Sequence, residues 1–183
     1  GLHPELHAEG GALTARGEFD LHQIHTGRGN ALLIVTPRGE TLLIDAGDVP
    51  DGRPQEVGPR RPDASRPAGA WIAHYIRQLG SERVDTLVVS HYHDDHLGGV
   101  SDLLANIPVT RLIDRGGDPA PPAFPVVQRY LADRGKHKAY RPIQAGEALM
   151  SGEDFEIRTV AANGRVWTGS EASAVSFFPP DWQ

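Results

Sequence analysis

The stretch DTLVVSHYHDDHLGGV, residues 85 to 100, decides how this chain is read. An apolar run, VDTLVVS (84 to 90), is followed at once by three histidines and two aspartates within positions 91 to 96. The run is continuous rather than alternating, the pattern of a strand covered on both faces. His91 and His93 flank a single residue, so in extended or tight-loop geometry both imidazoles point the same way, as two ligands of one ion. Asp95 and His96 come next and can turn toward a second ion beside the first. Nitrogen and carboxylate donors suit a pair of zinc-type ions, each of which lowers the pKa of a shared water to about 7 and so yields a hydroxide nucleophile at neutral pH. Gly98 and Gly99 would let the backbone pass close to the ions and begin a helix without a side-chain clash. Asp94 occupies the free position of the pattern, where a solvated or hydrogen-bonding role stands beside a ligand role.

Composition limits the alternatives. A chain of 183 residues holds one domain with a sizeable core, and only just two small ones. With 39% hydrophobic and 23% charged residues it reads as globular and water-soluble, and no apolar run reaches the ~20 residues that a membrane span needs. The net charge of -6 argues against broad electrostatic capture of nucleic acid. There is no cysteine, so any metal must be held by nitrogen and oxygen, and the redox compartment is left open. No serine nucleophile elbow, phosphate loop or zinc-finger spacing competes with the histidine cluster. His3, His7, His74 and His137 stand alone and read as ordinary surface or core residues.

Around the cluster the chain alternates strands and helices. FDLHQIHT (19 to 26), NALLIVT (30 to 36) and ETLLIDA (40 to 46) read as three successive strands joined by the glycine turns GRG and PRG. Residues 47 to 69 are rich in Pro, Gly, Arg and Asp and form a long loop, whose Arg53, Arg60, Arg61 and Arg66 are either a rim for an anionic substrate or a solvated face. AWIAHYIRQLG places Trp71, Ile72, Tyr75, Ile76 and Leu79 on one helical face and stops at Gly80. GGVSDLLANI reads as a helix, VTRLIDR as a strand and FPVVQRYLADRG as a helix closed by Gly135. FEIRTVAANGRVW reads as two strands around an Asn163-Gly164 turn. The fold class is therefore α/β, a sheet with helices packed on its outer face. Residues 1 to 17, with neither an initiator Met nor an apolar signal core, read as an extension or tag, and 18 to 183 as the domain. The closing SEASAVSFFPPDWQ has no polar tail and reads as a chain that once continued.

SHYHDDHLGG resembles the H-x-H-x-D-H-x-G-G signature of the metallo-β-lactamase-fold hydrolases, and LLIDAG (42 to 47) resembles the strand that precedes it there. The resemblance implies an αββα sandwich with a dinuclear metal site, commonly two Zn2+, at one edge. It implies His91 and His93 on the first metal, Asp95 and His96 on the second, turnover depending on Asp95, and Asp45 beside the site orienting ligands. HTGRGNALLIVTPRGETLLIDAG (25 to 47), YRPIQAGEAL and FEIRTVAANG are similar to one branch, the hydrolase domain of bacterial DNA-uptake competence channels and its free-standing relatives. Asn30 replaces an Asp common in that branch. The family's remaining ligands, a third histidine for the first metal and a bridging Asp and last histidine for the second, have no counterpart here, because His137 comes too early.

The expected protein is thus the N-terminal half of a sandwich, with two protein ligands per metal. It is a metal-dependent hydrolase cleaving an ester, lactone, amide or phosphodiester by metal-bound hydroxide, inactive or nearly so as this chain alone. The alternative is a non-catalytic metal-binding or interaction domain on the same fold. A half sandwich would also bare one apolar sheet face, to be covered by a second copy, an element swap or a separate C-terminal fragment.

Overall fold

A computed structural model describes residues 17–47, 66–118 and 124–170, and the backbone of 175–176. Residues 1–16, most of the expected extension, lie outside the described residues, as do Arg53, Arg60 and Arg61 of the arginine-rich loop and most of the C-terminal stretch.

Three short strands open the fold: β1 (Asp20–Gln23), β2 (Leu32–Val35) and β3 (Thr41–Ile44). They pair antiparallel, with Gln23 opposite Leu32 and Val35 opposite Thr41. Three further strands, β4 (Val84–Val89), β5 (Val109–Asp114) and β6 (Tyr140–Pro142), join in parallel, and the six-stranded sheet runs in sequence order. Parallel neighbours require crossovers, and these carry α1 (Ala68–Gln78), α2 (Asp94–Leu97), α3 (Val100–Asn106) and α4 (Pro125–Lys136).

The two sheet faces follow the period of two along each strand. Leu33, Val35, Leu43, Leu87, Val89 and Leu112 pack against Ile72 and Ile76 of α1, Leu103 of α3 and Tyr130 of α4. Their neighbours Ile34, Leu42, Val88 and Ile113 point the other way. That second face is not bare, contrary to the expectation for a half sandwich. Leu149 and Met150 of β7 (Ala148–Ser151) are buried on it, with β8 (Glu156–Arg158) paired alongside. Arg111 of β5 ties the layers together, donating to Thr86 Oγ1 at 2.6 Å and to the Leu149 carbonyl at 3.1 Å. Helices, a mixed sheet and a small second sheet make this the α/β sandwich that the motifs imply. Among the described residues no helix is long and apolar enough to cross a membrane.

Two element readings need correction. The helix assigned to FPVVQRYLADRG passes through Gly135 and ends at Lys136, where the ring of His137 bonds the Val109 carbonyl at 2.9 Å and takes the chain off the helix axis. The hairpin at Asn163-Gly164 exists, with φ of 51° and 72° as its turn requires. Its strands β9 (Ala161–Ala162) and β10 (Arg165–Val166) are only two residues long, however, and β10 also pairs with β11 (Val175–Ser176). The FEIR portion pairs with β7 instead, where Ile157 finds apolar contact that the hairpin does not offer.

Backbone meets backbone where α1, α3 and the end of β3 converge. A Cβ on Gly99 would lie 2.1 Å from the Ala46 carbonyl oxygen, and one on Gly69 would lie 1.9 Å from that of Gly99. The packing of protein on protein therefore by itself requires a glycine at the second position of the motif. Gly99→Ala should destabilise the chain by roughly 1–3 kcal/mol, the usual range for overpacking. The readout is a lower urea midpoint with an unchanged slope, and a midpoint equal to the parent's would refute this account of Gly99.

Candidate metal centre

The parallel strands β3, β4 and β5 finish at the same edge of the sheet, and the conspicuous polar residues stand at those ends. Asp45 follows β3 and is only 1% exposed. Its φ is 62°, a left-handed conformation that costs a non-glycine residue roughly 1–3 kcal/mol and persists only where the surroundings impose it. The surroundings are explicit. Asp45 N–H donates to the Val88 carbonyl at 2.9 Å, Ala46 N–H to the His96 carbonyl at 2.9 Å and Gly47 N–H to the Asn30 carbonyl at 2.9 Å. Asn30 N–H in turn donates to the Asp95 carbonyl at 3.2 Å. The β1–β2 loop is thereby tied to the loop that carries the cluster. Gly29 lies at this crossing with φ 87°, and a Cβ there would fall 1.6 Å from the Asp95 carbonyl oxygen.

The Asp45 carboxylate receives three hydrogen bonds. Ser90 N–H donates to Oδ1 at 2.8 Å, Ser90 Oγ–H to Oδ2 at 2.7 Å, and His96 Nδ1–H to Oδ2 at 2.7 Å. A carboxylate accepts only, so the Nδ1 proton of His96 is committed to Asp45 and Nε2 is left as the lone-pair nitrogen of the neutral ring. Nε2 lies 3.9 Å from Asp95 Oδ2. The Ser90 hydroxyl has already given its proton to Asp45, so at 3.0 Å from His91 Nδ1 it accepts, which leaves His91 Nε2 with a lone pair as well. One buried carboxylate thus orients two histidines, one directly and one through Ser90.

His91 Nε2 lies 3.1 Å from His93 Nδ1, and the ring centroids of His91 and His96 are 4.1 Å apart. Burial, followed by the nearby His96 and His93, lowers the pKa of His91, which favours the neutral ring that a metal ligand must be. Two imidazole nitrogens bound to one tetrahedral ion at about 2.0–2.1 Å lie about 3.3 Å apart, close to the spacing seen here. An all-nitrogen-and-oxygen donor set with an outer carboxylate on its histidines is the chemistry that zinc-type ions take.

His91, His93 and His96 are therefore brought together, with Asp95 beside His96. The donors come in pairs: among the described residues, no group of three or more His, Asp or Glu side chains is arranged to hold one ion. Asp94 turns away to pair with Arg28 at 2.9 Å. Arg66, the one loop arginine within the described residues, lies with its guanidinium 4.9 Å from the Trp71 ring centroid. His74 packs edge-on against the same ring, and His137 is used by Val109, as expected of histidines outside a site. Sequence reasoning misses Ser90 and Asp114. Asp114 has a signal: RLIDRG (111 to 116) repeats the strand-end pattern of LLIDAG (42 to 47). Ser90 has none beyond its place before His91.

The family model of the metallo-beta-lactamase superfamily matches residues 26–168, a span that contains every residue of this site. The chain belongs to that superfamily, whose members are mostly metal-dependent hydrolases. No curated protein matches it.

The geometry separates the two adjacent aspartates. Asp95→Asn should lower zinc uptake and hydrolytic turnover more than Asp94→Asn, because Asp95 faces His96 whereas Asp94 faces Arg28. Metal analysis and rate measurements on the two variants side by side decide it, and equal losses would sink the assignment.

Proposed function

We propose that this chain is a metal-dependent hydrolase in which His91 and His93 hold one Zn2+ and Asp95 and His96 a second, with an ester, lactone, amide or phosphodiester as substrate. One observation carries the reading. His91 Nε2 and His93 Nδ1 face each other at 3.1 Å while His91 Nδ1 is engaged by Ser90. Two nitrogens brought together in this way suit a shared cation, either a proton or a metal ion.

A divalent ion bound there supplies Lewis acidity toward a carbonyl or phosphoryl oxygen and an acidified water. The chain's own residues supply the geometry. Asp45 keeps His96 Nε2 directed toward Asp95 and, through Ser90, fixes the His91 ring. Pre-set rings spare the site reorientation when it is loaded, which is where proximity gains in catalysis arise. Arg28 neutralises Asp94 at the rim, leaving Asp95 as the carboxylate next to His96. The likeness of residues 25 to 47 to the hydrolase domain of competence channels favours a phosphodiester over the other substrates.

A second reading, a metal-binding or interaction domain without catalysis, is favoured by the absence of a third donor for either ion among the described residues. Two protein ligands leave an ion's other positions to water, so its binding is weaker than at a three-ligand site. For the 183-residue chain the expected result is less than two Zn2+ per chain, and turnover on an activated phosphodiester or lactone well below the roughly 1–1000 s⁻¹ usual of enzymes. That turnover should vanish with a chelator and with His91→Ala. Zinc uptake without hydrolysis would select the binding-domain reading, and no zinc uptake at all would remove both.

A further inference from the structure

The loop that carries His91 and His93 has a second anchor, unconnected with Asp45. Tyr92, the residue between the two histidines, is 8% exposed and belongs to the helix-side core, whereas His93 is exposed. Its hydroxyl donates to Asp114 Oδ2 at 2.8 Å. Asp114 ends β5, is 0% exposed, and collects four further donors: Tyr130 O–H at 2.7 Å, Tyr140 O–H at 3.0 Å, Gly116 N–H at 2.6 Å and, at 3.5 Å, the guanidinium of Arg134. Arg134 of α4 donates to the Tyr92 oxygen at 2.9 Å, and the guanidinium of Arg115 lies 5.2 Å from the centroid of the Tyr92 ring. Burial, then the bond to Asp114, pushes the Tyr92 hydroxyl's pKa up, and burial with Asp114 does the same for Tyr130, so both remain donors at any ordinary pH.

We propose that Tyr92, clamped by Asp114 and Arg134, is a positioning residue that sets the mutual orientation of the His91 and His93 rings. The inference rests on reading those two as ligands of one ion. With one residue between them, any backbone rotation at position 92 swings both imidazoles. Asp45 reaches His91 and His96 but has no bond to His93, so the 3.1 Å approach of His93 Nδ1 to His91 Nε2 needs a constraint from elsewhere. The Tyr92 clamp is that constraint, because it pins the shared backbone from the core side. Its partners form a network in which each member satisfies the others, the condition under which buried polar groups stiffen a structure.

The network contains its own control. Tyr92 and Tyr130 make matched bonds to the same oxygen, Asp114 Oδ2, but only Tyr92 lies on the metal-ligand loop. Both Tyr92→Phe and Tyr130→Phe should lower Tm, Tyr92→Phe somewhat more because it also loses the bond from Arg134. Tyr92→Phe should weaken Zn2+ binding by about 10-fold or more, the scale usual for groups that orient ligands, while Tyr130→Phe changes it by less than about two-fold. In metal-free protein, long-range ¹H–¹⁵N imidazole spectra of His91 and His93 should lose dispersion in Tyr92→Phe and stay like the parent's in Tyr130→Phe. Parent-like imidazole spectra in Tyr92→Phe would overturn the proposal, and so would equal losses in the two variants. If the parent takes up no zinc, the ligand reading falls, and the metal-free spectra still decide whether Tyr92 holds the two rings.

Discussion

The site depends on a carboxylate that sits where a glycine would be comfortable. At the end of β3 the backbone turns into the left-handed region, with φ 62° at position 45. Glycine would relieve that strain but would leave Ser90 N–H, Ser90 Oγ and His96 Nδ1 without their acceptor. Charge-assisted bonds of this kind contribute roughly 1.5–3 kcal/mol each, so three of them outweigh a strain of about 1–3 kcal/mol. The balance makes Asp45 a fixed point, and His96 and Ser90 take their positions from it.

The sheet brings the other fixed points to the same place. Parallel strands end side by side, and the register sets Ile44 beside Val88 and Val89 beside Asp114. Asp45 and Asp114 therefore flank the loop that leaves β4. One approaches it through Ser90 and His96, the other through Tyr92. Both carboxylates are buried and fully engaged, whereas the histidines and Asp95 are half-buried or exposed. This division gives a rigid, buried frame beneath accessible imidazole and carboxylate groups.

How much of this is legible in the sequence depends on the range of the interaction. The strands and crossover helices follow from periodicity, and the cluster from its spacing, because both are local patterns. The role of Asp45 could be placed only by resemblance, since its partners lie 45 and 51 residues away. Tyr92 reads as a filler between two histidines until Asp114, 22 residues on, is known to lie beneath it. The short strands near residues 155 to 166 misled for a related reason: a strong turn signal at Asn163-Gly164 says where the chain reverses, but not which strand the flanking residues pair with. Ile157 was decided by the apolar face of the large sheet, a tertiary preference that no local window contains.

The adjacent aspartates show how a weak surface contact can direct a strong one. The Arg28–Asp94 pair is about a third exposed on both sides, 36% and 31%, and a pair of that kind adds only about 0–1 kcal/mol to stability. Its effect lies in the choice it makes. Without Arg28, the loop could turn either of two neighbouring carboxylates toward His96. With Arg28 on the β1–β2 loop, and that loop tied by Asn30 N–H to the Asp95 carbonyl, Asp94 is neutralised while the backbone of Asp95 is held in place. Gly29 permits this tie because no side chain fits between the two loops. The glycine-rich turn thus leaves Asp95, rather than Asp94, as the carboxylate that faces His96.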